Sequence, residues 1–397
     1  MVAETMSLAA AHLSSVGATP PPGYSPEHEA FRDSVRRFVE KEIEPFVSEW
    51  DETETFPREL YKKAAEIGIL GVGFPEEYGG IDGTDIYHTY IVAEELARAG
   101  GGGVQASLLS HSIGCPPINV LGTPEQKSKW LPPVLAGEKI SALAITEPSG
   151  GSDVAQLQTV AHRDGDHYVV NGSKTYITSG IRADLVTVAV RTGDMGLGGI
   201  SLLVIEAGTP GFDRTPLKKM GWWASDTATL YFDDCRVPVE NMLGEENKGF
   251  LAVMNNFNME RVGMAAGANA LARVCVEEAI DYARERMTFG KRLADHQVIR
   301  HKIVDMMQAV NATQAYLENI ARRIMAGEQP VADYCMLKIQ ATQTLELCAR
   351  EAMQILGGAG FMRGNKVERI YREVRVYAIG GGSEEIMRDL AARQMGI

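Results

Sequence analysis

Two stretches of this chain hold residues whose types and spacing suit chemistry. The first is Ala144-Ile-Thr-Glu-Pro-Ser-Gly-Gly-Ser-Asp153, which leaves a strand-like segment for a loop of small residues. Gly150 and Gly151 let a backbone approach a ligand closely, while Thr146 and Ser152 offer hydroxyls. A tight turn is the simpler reading of such a loop alone. Thr175-Tyr-Ile-Thr178 changes that, because an aromatic and several hydroxyls on one sheet suit a flat ring with polar edges. The second stretch is Asn258-Met-Glu-Arg261, where Glu260 shares a helical stripe with Met264, Gly267, Leu271 and Val274. A carboxylate on an apolar face is costly unless paired or protonated, and such a group is a candidate for tuned proton transfer. The alternative is a helix-end residue paired with Arg261. His111 and Cys115, like Met264, fit core positions and receive no role.

The bulk properties narrow the class. A length of 397 residues allows two or three packed units, and a net charge of −13 argues against nucleic acid as a main partner. Five scattered cysteines without a CxxC pair point to a reducing, cytoplasmic setting and to no metal site. No apolar run reaches the roughly 18 residues that span a bilayer, so no integral membrane contact is expected. The first 24 residues contain Glu4 but no Lys or Arg, which disfavours a targeting peptide.

The elements that must position these residues read as helix, then sheet, then helix: an α+β chain. The spacing divides it into a loose tail over 1–24, a helical unit over 25–140, a β unit over 141–245 and a helical unit over 246–397. Ser25-Pro26 opens the first helix, and helical patterns continue at 58–69, 86–99 and 124–136. Asp164-Gly165 and Asn171-Gly172 both read as hairpin turns. Further strands are expected at 185–191, 200–206 and 228–232; helical periodicity returns from Lys248, with long stretches at 260–286, 297–326 and 331–356.

Ala144–Asp153 and Thr175–Thr178 resemble the flavin-binding strands of the acyl-CoA dehydrogenase family, and the resemblance runs from about Tyr24 to Ile397. It takes in Met220-Gly-Trp, Ala224-Ser-Asp-Thr, Phe232-Asp-Asp-Cys-Arg-Val-Pro238, Leu243-Gly-Glu-Glu-Asn-Lys-Gly-Phe250, Arg286-Met-Thr-Phe-Gly-Lys291 and Gln354-Ile-Leu-Gly-Gly358. It implies an N-terminal helical domain, a middle β-barrel-like domain and a C-terminal helical bundle. It also implies FAD as cofactor, acyl-CoA as substrate, electron-transfer flavoprotein as acceptor and a homo-oligomer, usually a tetramer, serving fatty-acid oxidation.

By the same resemblance Thr146 meets the pyrimidine edge of the flavin, Thr178 reaches its N5, and Tyr176, where Trp is commoner, packs on the ring. Gly151, Ile177, Ser383 and Glu385 complete that part of the cofactor site. Ser152 lies between the cofactor phosphate and the pantetheine arm. Arg286, Thr288, Phe289, Gln297, Gln354, Gly357 and Gly358 match residues that bind FAD across a subunit boundary.

The base is where the sequence departs from the common pattern. Many family members carry a Glu close to the C-terminus, but here Gly381 stands at that position, within Ile379-Gly-Gly-Gly-Ser-Glu-Glu385. A minority branch, including the isovaleryl-CoA and long-chain enzymes, carries it in a Glu-Arg pair, which Glu260-Arg261 matches. The resemblance therefore implies Glu260 as base, the Gly381 N–H as donor to the thioester carbonyl, and Asn258, Arg261 and Gly382 near the substrate. A flavin oxidase or monooxygenase on this scaffold, or a non-catalytic acyl-CoA- or FAD-binding protein, are the rival readings.

Overall fold

The computed structural model describes residues 23–397, so the tail expected over 1–24 lies, up to residue 22, outside the described residues. Helix α1 (Pro26–Glu42) opens where Ser25 accepts from the His28 N–H, while His28 Nδ1 accepts the Ser25 N–H at 2.9 Å. Tyr24 is packed, with its ring against Tyr87 and under the Arg32 guanidinium. The front unit continues through α2 (Val47–Glu52), α3 (Glu59–Glu66), α4 (Ile86–Ala97), α5 (Gly102–Leu108), α6 (His111–Gly114), α7 (Pro116–Leu121) and α8 (Pro124–Leu135). Asp85 caps α4, and Thr123 with Gln126 caps α8.

The middle unit contains β1 (Ser141–Ala144), β2 (Val160–Asp164), β3 (His167–Thr178), β4 (Leu185–Arg191), β5 (Ile200–Glu206), β6 (Phe212–Pro216), β7 (Thr227–Pro238) and β8 (Met242–Leu243). They pair in the order β6-β7-β3-β2-β4-β5-β8, with β1 parallel to β4. Every residue of β4 is buried because each face meets a different core. Val186, Val188 and Val190 join the cluster shared with the first helices, whereas Leu185 and Ala189 join the one built on α8. That explains an unbroken apolar run where one-sided strands alternate.

One expected turn is corrected by the sheet. Asp164 pairs with His167 across a two-residue turn containing Gly165, as the spacing suggested. Asn171-Gly172, by contrast, lies inside the twelve-residue β3. There it forms an irregularity in the pairing with β7: Gly172 takes φ +144°, and Asn171 exchanges hydrogen bonds with Asp234. A Cβ at Gly172 would sit 2.7 Å from Thr159 Cα, so the glycine serves close approach between strands.

The back unit holds α9 (Phe250–Glu285), a short hairpin of β9 (Met287–Thr288) and β10 (Lys291–Arg292), α10 (Gln297–Met325), α11 (Val331–Leu356), α12 (Lys366–Ile379) and α13 (Glu384–Met395). Helix α9 begins two residues after the expected return of helical periodicity at Lys248, and ten before the long stretch read over 260–286. It runs through the centre of the molecule against α4, α10, α11 and α12, which is why small apolar residues appear on several of its sides. Among the described residues, no helix is long and apolar enough to cross a membrane.

Candidate active site

Strand β1 delivers Ile145-Thr146-Glu147 to the edge of the sheet, where a buried ion pair fixes the loop that follows. The Glu147 carboxylate accepts from Gln158 N–H (2.6 Å), Thr159 N–H (2.8 Å) and Lys174 Nζ (2.8 Å), and Lys174 Nζ also donates to Ile145 O at 3.0 Å. Lys174 is fully buried. Burial pushes Lys174 down to about 8 against the pull of Glu147. Burial raises Glu147 too, but Lys174 and the two N–H donors outweigh it and hold the carboxyl below its ordinary range. The Thr175 N–H donates to Thr146 O at 2.9 Å, which ties the Thr146 segment to Thr175–Thr178.

Between Lys174 and Ile177 the β3–β7 register shifts, and this irregularity turns Tyr176 outward at φ +61° with 72% of its surface exposed. Ile177 points the other way into the core, and Thr175 Oγ1 is occupied by Thr229 Oγ1 at 3.0 Å. Thr146 and Thr178 are partly accessible, and Ser152 is exposed. A Cβ at Gly151 would meet Thr146 Cγ2 at 3.1 Å, so bulk there would crowd the threonine. An open aromatic face flanked by hydroxyls, on a loop locked from beneath, fits the flat, polar-edged ring system of a flavin.

The second group forms where α9 passes the turn between α12 and α13. Glu260 lies nearly three turns into α9, which removes the helix-end reading. Position 381, where the commoner family base would stand, faces it: a Cβ there would lie 3.9 Å from Glu260 Oε1 and 2.8 Å from Met264 Sδ. Gly381 and Gly382 take φ +65° and +103°, and a Cβ at Gly382 would strike Met387 Cε at 2.5 Å, so both need glycine. Arg261 Nε donates to Gly381 O at 3.1 Å and its Nη1 to Asn258 Oδ1 at 2.9 Å. Glu260 keeps partial solvent access as a residue. Its carboxyl is nonetheless desolvated, and burial pushes its pKa up to about 7 against the opposing charges of Arg261 and then Lys338. Such a group accepts a proton near neutral pH.

Models of the acyl-CoA dehydrogenase N-terminal, middle and C-terminal domains match residues 25–138, 142–235 and 247–396. The chain belongs to the acyl-CoA dehydrogenase family. An acyl-CoA dehydrogenase of Alternaria alternata is 39% identical over 94% of this chain and 92% of its own length. The long-chain specific acyl-CoA dehydrogenase of Rattus norvegicus mitochondria is 38% identical over 94% and 87%. The crystal structure of acyl-CoA dehydrogenase from Geobacillus kaustophilus superposes with a TM-score of 0.91 at 39% identity, covering 95% of this chain and all of that one. Like its family, this acyl-CoA dehydrogenase is an FAD-dependent oxidoreductase that dehydrogenates acyl-CoA.

The remaining sequence-identified residues fall at the end of α9 and its hairpin, at the start of α10, at the end of α11 and at the start of α13. Arg286 ends α9, and Phe289 sits with Gly290 at the tip of the β9–β10 hairpin, at φ +49° with 96% of its surface exposed. Thr288 Oγ1 contacts His296 Nε2 at 3.1 Å. Gln297 and Gln354 are exposed, and Gly357 and Gly358 follow the end of α11 on the surface. Ser383 caps α13, accepting from the Ile386 N–H, while Glu385 is exposed in its first turn.

Four residues escaped sequence reasoning: Glu147, Lys174, Lys338 and Glu373. Glu373 on α12 is buried, accepts from Gly102 N–H (2.7 Å) and Trp222 N–H (3.2 Å), and so clasps all three units. Burial pushes its pKa up to about 7. His28, Asp85 and His88 form a compact group, but their atoms are engaged in capping α1 and α4.

Proposed function

We propose that this enzyme oxidises a fatty-acyl-CoA to the trans-2-enoyl-CoA with Glu260 as the base for the α-proton. The observation that carries this reading is Glu260 Oε1 at 3.9 Å from the Cβ position of Gly381. A carboxyl from α9 thus occupies the neighbourhood that a residue-381 carboxyl would serve. In this reading the Gly381 N–H holds the thioester carbonyl and stabilises charge that develops there as the proton leaves. FAD, when bound, supplies the hydride acceptor for the β-carbon at its N5. Thr146, Gly151, Thr178, Ser383 and Glu385 hold that cofactor and Tyr176 covers its ring, while Ile177, its side chain in the core, contributes through its backbone. Arg286, Thr288, Phe289, Gln297, Gln354, Gly357 and Gly358 serve the cofactor of a neighbouring copy, which makes the active form an oligomer, a tetramer by resemblance. The exposure of all of these except the half-buried Thr288 in the single chain supports that assignment.

Ser152, Asn258 and Gly382 border the substrate in this proposal, and Arg261 acts through the Gly381 carbonyl it already holds. Electron-transfer flavoprotein receives the electrons, and the setting is cytoplasmic fatty-acid oxidation. The test is anaerobic titration of the FAD-loaded enzyme with saturated acyl-CoAs of varied length and branching. At least one thioester should bleach the flavin, and Glu260→Gln should keep FAD but bleach about 10²–10⁴-fold more slowly, the usual contribution of a positioned base. Bleaching of Glu260→Gln at the normal rate would remove the base assignment. Rapid aerobic reoxidation with peroxide release would instead favour a flavin oxidase.

A further inference from the structure

Lys338 belongs to α11, yet its ammonium reaches the triglycine turn between α12 and α13. Nζ donates to Gly382 O at 2.7 Å, and the residue is only 1% exposed. No carboxylate lies within salt-bridge distance of it among the described residues: Glu384 on α13 pairs with Arg388. The charged or titratable groups facing it are Glu384 from α13, Arg261 and Glu260 from α9, and Cys335 from its own helix. A buried ammonium without an ion pair is destabilising unless its N–H groups find acceptors. If the position needed only volume, Met would fill it. The bond to Gly382 is the interaction that accounts for a lysine there.

We propose that Lys338 is the positioning residue of the active-site turn, holding the Gly382 carbonyl from α11 while Arg261 holds the Gly381 carbonyl from α9. The proposal rests on the reading of Glu260 as base and Gly381 as donor to the thioester. The two carbonyl contacts fix the peptides of a turn whose glycines otherwise have wide conformational freedom. Their charges also flank Glu260, where positive neighbours favour the carboxylate and any negative charge that develops on the substrate. Lys338 therefore acts through the turn and through the base, touching neither substrate nor cofactor.

Lys338→Gln removes the charge but keeps an N–H donor, whereas Lys338→Met removes both. The experiment is stopped-flow flavin reduction of FAD-loaded wild type, both variants and Glu260→Gln, across pH, with the acyl-CoA that bleaches wild type fastest. Wild type should show a bell. Its alkaline limb, near the value of about 8 to which burial lowers Lys338, should be absent from Lys338→Gln. Lys338→Gln should also move the acid limb to higher pH by roughly half a unit, because a cation favouring the carboxylate has gone. Lys338→Met should in addition reduce flavin at least about tenfold more slowly, with FAD still bound.

Wild-type rates and profiles in both variants would overturn the proposal, as would a wild-type profile with no alkaline limb, a measurement that needs no variant to fold. Glu260→Gln separates the two readings. If it bleaches normally the base assignment has failed, and if it does not while the Lys338 variants behave as wild type, only the role of Lys338 has.

Discussion

Replacing Glu260 by Gln tests the burial of that carboxyl without substrate. Its folded pKa is raised from 4.5 to about 7, so the folded state holds the proton more tightly than the unfolded chain does. The stability this contributes is complete below about pH 4.5, declines as the unfolded chain ionises, and is gone above about pH 7. At 1.36 kcal/mol per unit, ionising Glu260 in place weakens the fold by about 3 kcal/mol at alkaline pH. Between about pH 5.5 and about pH 8.5 the same relation leaves a change of about 2 kcal/mol. The neutral amide lacks this dependence. Glu373, raised to a similar value, titrates in both proteins and cancels in the difference. Thermal melting of FAD-loaded wild type and Glu260→Gln should therefore diverge as pH rises, the variant gaining roughly 2–4 °C over that interval. A melting difference that stays constant across it would show that the carboxyl is solvated, and the argument for a tuned base would collapse.

Three further outcomes follow from the geometry. Gly381→Ala must accept φ +65° and a Cβ 2.8 Å from Met264 Sδ; it should lose about 1–3 kcal/mol of stability and reduce flavin at least about tenfold more slowly, read by melting and stopped flow. Lys174→Met leaves the Glu147 carboxylate buried without its cation; a loss of about 3–5 kcal/mol and of bound FAD is expected, measured by melting and by the ratio of flavin to protein absorbance. Phe289→Ala removes a ring that is 96% exposed, so circular dichroism should be unchanged while FAD retention or oligomer size falls in gel filtration; an intact, fully loaded oligomer would count against the cross-subunit assignment.

What could be read from the sequence was local or periodic. The α1 start was legible because Ser25 and Pro26 act on the first turn whatever packs later, although the third residue closing the cap is a histidine. Glu260 was legible because its stripe with Met264 survives in α9. The return of helical periodicity at Lys248 was legible to within two residues of Phe250, whereas the long regular stretch read only from 260, because Asn256 and Asn258 interrupt the apolar pattern while their side chains bond Ile113 O and Arg261. Asn171-Gly172 carries a strong turn signal, but pairing with β7, some sixty residues away, keeps the strand running through it. Lys174 and Glu147 lie 27 residues apart, and no spacing rule joins them. Lys338 did leave a trace: it falls on the buried α11 stripe with Tyr334, Ala341, Leu345 and Cys348, where a lysine is out of place on a helical face.

The crowding around Gly381 bears on how such enzymes can diverge. A glutamate introduced there would displace Met264 and bring a second acid close to Glu260, and two neighbouring carboxyls share one proton and titrate as a unit. With Glu260 as the proposed base, the two placements compete for one pocket. Passage from one to the other needs paired substitution, because either single step leaves a site with two competing acids or with none.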